Sequence, residues 1–323
     1  MLVRSPLVVR TYRGPFLETE SIVHASVSAE SASDCVSFGP TDVPFPTRST
    51  IKPFQAGPLL SGDYDVGVLT PSEAALACGS HNGEDGHAQA VSGWLDRLGL
   101  SAEVLLCPPA LPMTEDARDA FVARGGTPER RRHDCSGKHC GFLSITVAAG
   151  CGLSDYLRPD GYVQTRVTDA LRDSLHRDLS ADDFATDGCG APTLCVPLAA
   201  LARGWRALAE RDSTPLARAV DAMRQEPWYL AGTGRFDTEI VQQSAGTVLA
   251  KVGASGVHAA CVVGSGVGVA VKSLDGCRLA AQVALGHILR QILGADLAAS
   301  FPALNYPTVA NDAGLPHIQV AGG

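Results

Sequence analysis

The two ends of this 323-residue chain read as strands and its middle reads as helices, and that division constrains the fold more than any other feature. Leu7-Val8-Val9-Arg10-Thr11-Tyr12 and Ser21-Ile22-Val23-His24-Ala25-Ser26-Val27 are β-branched, partly alternating runs, with Gly14-Pro15 marking a turn between them. From Gly246 the same texture returns, in Gly246 to Lys251, Val257 to Val263 and Val267 to Lys272, the last two joined by Gly264-Ser265-Gly266. Strands need partners for their backbone groups. The terminal segments are therefore expected to join in one antiparallel sheet packed on the helical region, an α/β fold of the α+β type.

Helix signals fill the middle. Thr70-Pro71-Ser72-Glu73 is a capping box with proline at the first helical position, and the helix it opens is expected to end at Gly79. Val91, Trp94, Leu95 and Leu98 form an apolar stripe before Gly99, and further helices are expected at Thr114 to Arg124, 137–150, 161–178 and 215–225. A last apolar helix at about 279–293 precedes a tail expected to be loosely held. The chain exceeds the size of one small core, so a single domain with two lobes is expected: terminal strands of about 1–48 and 246–323, and a mainly helical lobe of about 49–245.

A net charge of −8 argues against a nucleic-acid surface. The N-terminus has no basic region followed by a long apolar core, and no run of about 18 apolar residues occurs, so no membrane association and a cytoplasmic location are expected. Ten cysteines lack the regular spacing of a secreted disulfide framework and are expected to be reduced, with Cys35, Cys195 and Cys261 as small core fillers.

Several stretches could carry chemistry. In Arg48-Ser49-Thr50-Ile51-Lys52-Pro53-Phe54-Gln55, a serine three residues ahead of a lysine in a helical turn puts hydroxyl and amine on one face, a nucleophile beside its base. Such a lysine must be unprotonated near neutral pH, and burial or a neighbouring cation such as Arg48 lowers an amine from its ordinary pKa of about 10.4 by roughly 3 units. Cys78-Gly79-Ser80-His81-Asn82-Gly83-Glu84 sets a second serine on a glycine turn after a helix. His133-Asp134-Cys135-Ser136-Gly137-Lys138-His139-Cys140 groups two thiols, two imidazoles and an amine, and Asp187-Gly188-Cys189-Gly190 adds a thiol beside a carboxylate. Thiols with imidazoles suit zinc, although the short two-cysteine knuckle is missing; a nucleophilic cysteine at 135 or 140 is the other reading. Lys251 leaves a strand for a glycine turn, Lys251-Val252-Gly253-Ala254.

Taken together, Arg48-Ser49-x-x-Lys52-Pro53-Phe54-Gln55-Ala56, Ser80-His81-x-x-Glu84, Cys135-Ser136-Gly137-Lys138-His139, Thr186-Asp187-Gly188-Cys189-Gly190-x-Pro192, Gly232-x-Gly234-Arg235 and Lys251-x-Gly253-Ala254-x-Gly256-Val257 stand in the order and spacing of one family. The chain resembles the asparaginase II family, the rhizobial-type L-asparaginases, from about residue 5 to 317. The resemblance implies a fold similar to serine β-lactamases and glutaminases, a single catalytic domain, and a homodimer that hydrolyses L-asparagine to aspartate and ammonia with a zinc ion bound near the active site. It puts two serine and lysine pairs on Ser49 with Lys52 and on Ser80 with Lys251. It puts zinc on Cys135, Lys138 and Cys189, with Asp187 close by, in a structural or substrate-orienting role. A lysine ligand must be neutral to donate its lone pair. Arg48 or Arg235 is expected to hold the substrate carboxylate, and both are expected to line the substrate site with His81 and Glu84. Another amidohydrolase of the same fold, a glutaminase or a β-lactam-acting protein, is the alternative, and a non-catalytic zinc-binding protein the alternative from another class.

Overall fold

The computed structural model describes residues 2–31, 35–305 and 317–322. They form two compact units, the first made of Met1–Thr50, Cys195–Glu210 and Glu239–Gly323, the second of Ile51–Leu194 and Arg211–Thr238.

The first unit is built on the terminal strands β1 (Leu2–Arg4), β2 (Leu7–Arg13), β3 (Phe16–Ser28), β4 (Val36–Phe38) and β5 (Pro44–Pro46). With β8 (Val248–Val252), β9 (Val257–Val262), β10 (Val267–Ser273) and β11 (His317–Ala321), all but β5 make one eight-stranded sheet of order β1-β4-β3-β10-β9-β8, with β2 on β3 and β11 on β2. The two ends of the chain meet where β3 pairs antiparallel with β10, Val27 opposite Val269 and Ala25 opposite Val271. The sheet is antiparallel as expected except at its edge, where short β1 runs parallel to β4.

Every residue of β8 and β9 is buried, so both faces of this region are covered. The helix Arg278–Leu293, close to the expected span, packs on β9 and β10, and the helix Leu198–Glu210 packs on β3, β9 and β10. The second helix lies so close that a Cβ on Gly268 would stand 2.2 Å from the Ala202 carbonyl oxygen. Leu198, Leu201, Trp205 and Leu208 form its buried stripe, each such side chain contributing about 1.5–3 kcal/mol by leaving water. From that stripe the Trp205 indole donates to the Thr50 carbonyl at 3.2 Å, which fixes the segment next to Ser49.

The second unit is helical. The box at Thr70 forms as expected: Glu73 N–H donates to Thr70 Oγ1 at 3.3 Å and Thr70 N–H to Glu73 Oε2 at 3.0 Å, opening the helix Pro71–Cys78. The helices Asp85–Arg97, Glu115–Ala123, Ser136–Ala148, Tyr162–Leu175 and Thr214–Gln225 match the expected ones within a few residues. Val163, Val167, Leu171 and Leu175 are all buried, as their spacing requires. Helix Ser136–Ala148 crosses Pro71–Cys78 at Gly137, where a Cβ would meet the Leu76 carbonyl oxygen at 2.6 Å. A short antiparallel pair, β6 (Phe184–Thr186) with Pro192–Leu194 of β7 (Pro192–Pro197), frames the turn that carries Cys189.

The tail differs from expectation: His317–Ala321 is a strand antiparallel to β2, while the part at 306–316 lies outside the described residues. All ten cysteines are free thiols; Cys261 is a core residue, whereas Cys35 and Cys195 are only half-buried. Among the described residues no helix is long and apolar enough to cross a membrane.

Candidate active site

In the second unit Lys52, wholly buried, reaches three acceptors: Gly79 O at 2.6 Å, Ser80 Oγ at 2.7 Å and Asp134 O at 3.2 Å. Two of the three are carbonyl oxygens, which cannot donate. Nζ donates to all three, so its contact with Ser80 Oγ is fixed by two further bonds to the backbone. The amine and the Ser80 hydroxyl thus stand within proton-transfer distance of each other.

The turn that presents Ser80 is pinned from three sides. Its backbone N–H donates to Leu230 O and that of Asn82 to Ala231 O, both at 2.8 Å. Gly79 is obligatory because a Cβ would come within 2.7 Å of Leu230 O. On the third side Arg132 Nη1 donates to Gly83 O at 2.9 Å. Ser80 itself is only 3 % exposed.

Around that turn lies a polar cluster. Arg235 Nη1 donates to Asn82 Oδ1 at 2.8 Å, and Asn82 Nδ2 donates to Glu84 Oε1 at 3.1 Å and to Thr233 O at 3.0 Å. Glu84 also accepts from the Thr233 N–H and hydroxyl, both at 2.9 Å. Burial works against its charge, but the bonds from Thr233 and Asn82 outweigh it and hold the Glu84 carboxyl below the usual range. His81, fully buried, meets Ser136 Oγ at 3.0 Å through Nε2 and accepts from Gly83 N–H at Nδ1, so both ring nitrogens are engaged within the protein. Burial, then neighbouring His87 and Lys52, hold it neutral.

The thiol cluster stands one residue from the Lys52 contact at Asp134. The Cys135 and Cys189 sulfurs and an Asp187 carboxylate oxygen all lie within 4.8 Å of one another, and Lys138 Nζ donates to Cys189 Sγ at 3.2 Å. The hydrogen bond from Cys189 outweighs burial and, with Lys52 and Lys138 nearby, holds the Cys135 thiol well below its ordinary pKa; Cys189, which keeps the shared proton, is pushed up. Burial opposes a charge on Lys138, yet Cys189, Cys135 and Asp187 together raise it. Two buried thiols, a buried amine and a half-buried carboxylate are a donor set that fits zinc. Cys140 lies outside this set, a core thiol pushed up by burial.

The first unit carries the other expected residues. Arg48 has a φ of 53°, a left-handed conformation that costs a non-glycine residue about 1–2 kcal/mol. Its guanidinium donates to Ser255 Oγ at 3.3 Å, and the 3-10 turn Arg48–Ile51 leads directly into the helix Lys52–Gln55, with Pro53 early in it as expected. Ser49 is 8 % exposed. A Cβ on Gly253 would meet Thr47 O and Thr50 Cγ2 at 3.2 Å, so the end of β8 abuts this turn. Lys251, wholly buried in β8, donates to Val252 O at 2.8 Å.

Residues 9–317 match the L-asparaginase II family. The chain belongs to that family. Membership makes this L-asparaginase II chain an amidohydrolase. No curated protein matches its sequence. Among solved structures it is similar to a putative β-lactamase from Bacteroides dorei DSM 17855, at 12 % identity and a TM-score of 0.39, covering 78 % of this chain and 85 % of that one. A class C β-lactamase from Rhodobacter sphaeroides is similar at 15 % identity and a TM-score of 0.34, over 88 % and 95 % of the two chains. A protein called Mglu is similar at 14 % identity and a TM-score of 0.42, over 85 % of this chain but only 60 % of that one.

In the asparaginase II chain Lys52 thus bonds Ser80, the serine that the resemblance pairs with Lys251, and Lys138, Cys135, Cys189 and Asp187 come together. Sequence reasoning missed the Asp134 carbonyl, Asn82, Thr233 and Ser136, whose backbone, amide and hydroxyl groups carry no spacing signal. It also missed His87, stacked 3.9 Å from Trp228 and 4.9 Å from His81.

Proposed function

We propose that the chain is an L-asparaginase that hydrolyses L-asparagine to L-aspartate and ammonia, with Ser80 attacking the carboxamide carbon and Lys52 taking its proton. The single observation that supports this most is the Lys52 amine, held by two carbonyls with Ser80 as its third partner. Attack forms an acyl-enzyme and releases ammonia as the proton returns through the amine; water then cleaves the ester. Ser49 and Lys251 are assigned the second serine and lysine pair, Arg48 or Arg235 the substrate carboxylate, and Glu84 the substrate ammonium.

Cys135, Cys189, Lys138 and Asp187 would hold zinc. A zinc ion bound there supplies charge to orient the polar end of a substrate. The chain's own contribution is to fix the donors: Cys135 caps the helix Ser136–Ala148, Lys138 lies in its first turn, and Cys189 sits in a turn closed by Asp187 N–H to Ala191 O at 2.9 Å. The homodimer belongs to the same proposal.

The test compares ammonia release from asparagine, glutamine and a chromogenic β-lactam, together with an intact-mass trap of the acyl-enzyme. Asparagine turnover with acyl transfer to Ser80 supports the reading. Preferential glutamine or β-lactam turnover replaces it with the corresponding relative, and an acyl group on Ser49 reassigns the nucleophile.

A further inference from the structure

His81 and Ser136 follow directly after Ser80 and Cys135 in the chain, and neither is explained by the chemistry above. Their hydrogen bonds have a definite direction. Gly83 N–H donates to His81 Nδ1 at 3.1 Å, so that nitrogen bears the lone pair and Nε2 bears the proton. Nε2 then donates to Ser136 Oγ at 3.0 Å, and the Ser136 hydroxyl donates to Arg131 O at 3.0 Å. Arg132, the next residue, closes the circuit by donating from Nη1 to Gly83 O at 2.9 Å. Both side chains are 0 % exposed, so no water can replace a lost partner. The backbones leave no slack: a Cβ on Gly83 would stand 2.3 Å from Arg132 O.

This ring joins the turn carrying Ser80 to the segment carrying Cys135. Lys52 ties the same two segments a second time, through Gly79 O and Asp134 O. The His81 ring has little freedom to tilt, because it stacks on His87 at 4.9 Å with 12° between planes, and His87 stacks on Trp228. A pull on Cys135 is therefore passed to the Ser80 turn through Ser136 and His81 rather than absorbed by the imidazole.

We propose that His81 and Ser136 are positioning residues that couple filling of the Cys135–Cys189 cluster to the reactivity of Ser80. This rests on the reading above, in which Ser80 is the nucleophile and the cluster takes zinc. Neither residue touches substrate or reacting atoms; both act through the backbone on either side of them. By linkage, whatever the cluster does to Ser80, Ser80 does to the cluster.

The test measures labelling of Ser80 by a fluorophosphonate, read by intact mass and peptide mapping, with the full chain either zinc-loaded or stripped by a chelator. In the parent, zinc is expected to change the labelling rate by a factor within about 5 to 150. In Ser136→Ala the factor is expected to fall below about 2, with zinc still bound at parent stoichiometry. His81→Gln, which keeps a donor toward Ser136, is expected to retain most of the coupling. His81→Asn, which keeps only the acceptor for Gly83, is expected to lose it, and it serves as the second variant should Ser136→Ala fail to fold. Zinc-independent labelling of the parent, or full coupling in both Ser136→Ala and His81→Asn, overturns the inference. Asparagine hydrolysis with zinc-independent labelling leaves the proposed function standing and removes only the coupling. Zinc-dependent labelling without asparagine hydrolysis does the reverse, and no labelling of Ser80 in either form overturns both.

Discussion

Lys52 Nζ is 2.7 Å from Ser80 Oγ and 2.6 Å from Gly79 O, so the amine is bound both to the serine and to the backbone immediately before it. The amine and the hydroxyl are thereby held in register by one turn. Lys52→Met and Ser80→Ala are each expected to lower kcat by about 10²–10⁴-fold, and the double variant little further, because the two act as a unit. Lys52→Arg keeps the charge but has no lone pair to offer, so it is expected not to rescue turnover. Steady-state ammonia release checks this; an arginine variant with more than about a tenth of parent kcat would show that charge, not proton acceptance, is what Ser80 needs.

Gly83 tests the close approach of the two segments. Its φ of 70° and the 2.3 Å that would separate an added Cβ from Arg132 O make alanine there both strained and obstructed. Gly125 has φ of 84° with nothing within 4 Å of a Cβ, so Gly125→Ala isolates the strain. Gly125→Ala is expected to cost about 1–2 kcal/mol, and Gly83→Ala to cost at least about 1–3 kcal/mol more through overpacking. Urea midpoints at constant m-value measure both, and equal costs would mean the backbones do not meet at Gly83.

Much of this architecture was legible because it rests on periodicity and capping. Thr70-Pro71-Ser72-Glu73 announced its helix, and Val163, Val167, Leu171 and Leu175 announced a buried face. The helix Leu198–Glu210 falls in the stretch expected to be helical, but nothing in the sequence tells that it packs on the terminal sheet rather than within the helical lobe. Strands β1, β4 and β6 are three residues long, too short to show alternation. In the site, Ser80, Lys52, Cys135 and Cys189 were found as residue types in motifs. The match of Lys52 with Ser80, 28 positions apart, depends on how the helix Lys52–Gln55 meets the turn after Pro71–Cys78, which spacing does not encode.

Zinc is expected to bind in competition with protons. The negative charge of the Cys189–Cys135 pair, with Asp187, raises Lys138, and the pair itself retains one shared proton. Donor groups must shed those protons, so affinity falls as pH falls and uptake releases acid. Proton release in weakly buffered titrations, repeated at several pH values, reads this directly. Cys189→Ser is expected to weaken zinc binding by at least about 10-fold, while Cys261→Ser, in the core of the sheet, leaves it unchanged. Stripping zinc is expected to raise KM more than it lowers kcat; an unchanged KM with collapsed kcat would assign the metal to the chemical step.

Acid stability follows from His87. Burial outweighs its hydrogen bond to the Trp228 carbonyl and lowers its pKa to about 4, and His81 and His139 are likewise held neutral chiefly by burial. The unfolded chain takes a proton on His87 near 6.5, the folded chain only near 4, so acid favours the unfolded state across that window. Stability is therefore fully present above about 6.5, is lost as pH falls toward 4, and levels off below for this group. The shift from 6.5 to about 4 corresponds to about 3 kcal/mol for His87 alone. His87→Gln keeps a donor for the Trp228 carbonyl but cannot titrate. It is expected to flatten the dependence of unfolding free energy on pH by up to about 1.4 kcal/mol per pH unit between 6.5 and 4, whatever it does to stability at neutral pH. Denaturant unfolding of both proteins at half-unit pH steps decides it: parallel acid limbs would mean that His87 is already charged in the folded chain, and the stack from His81 to Trp228 would then have to hold a cation.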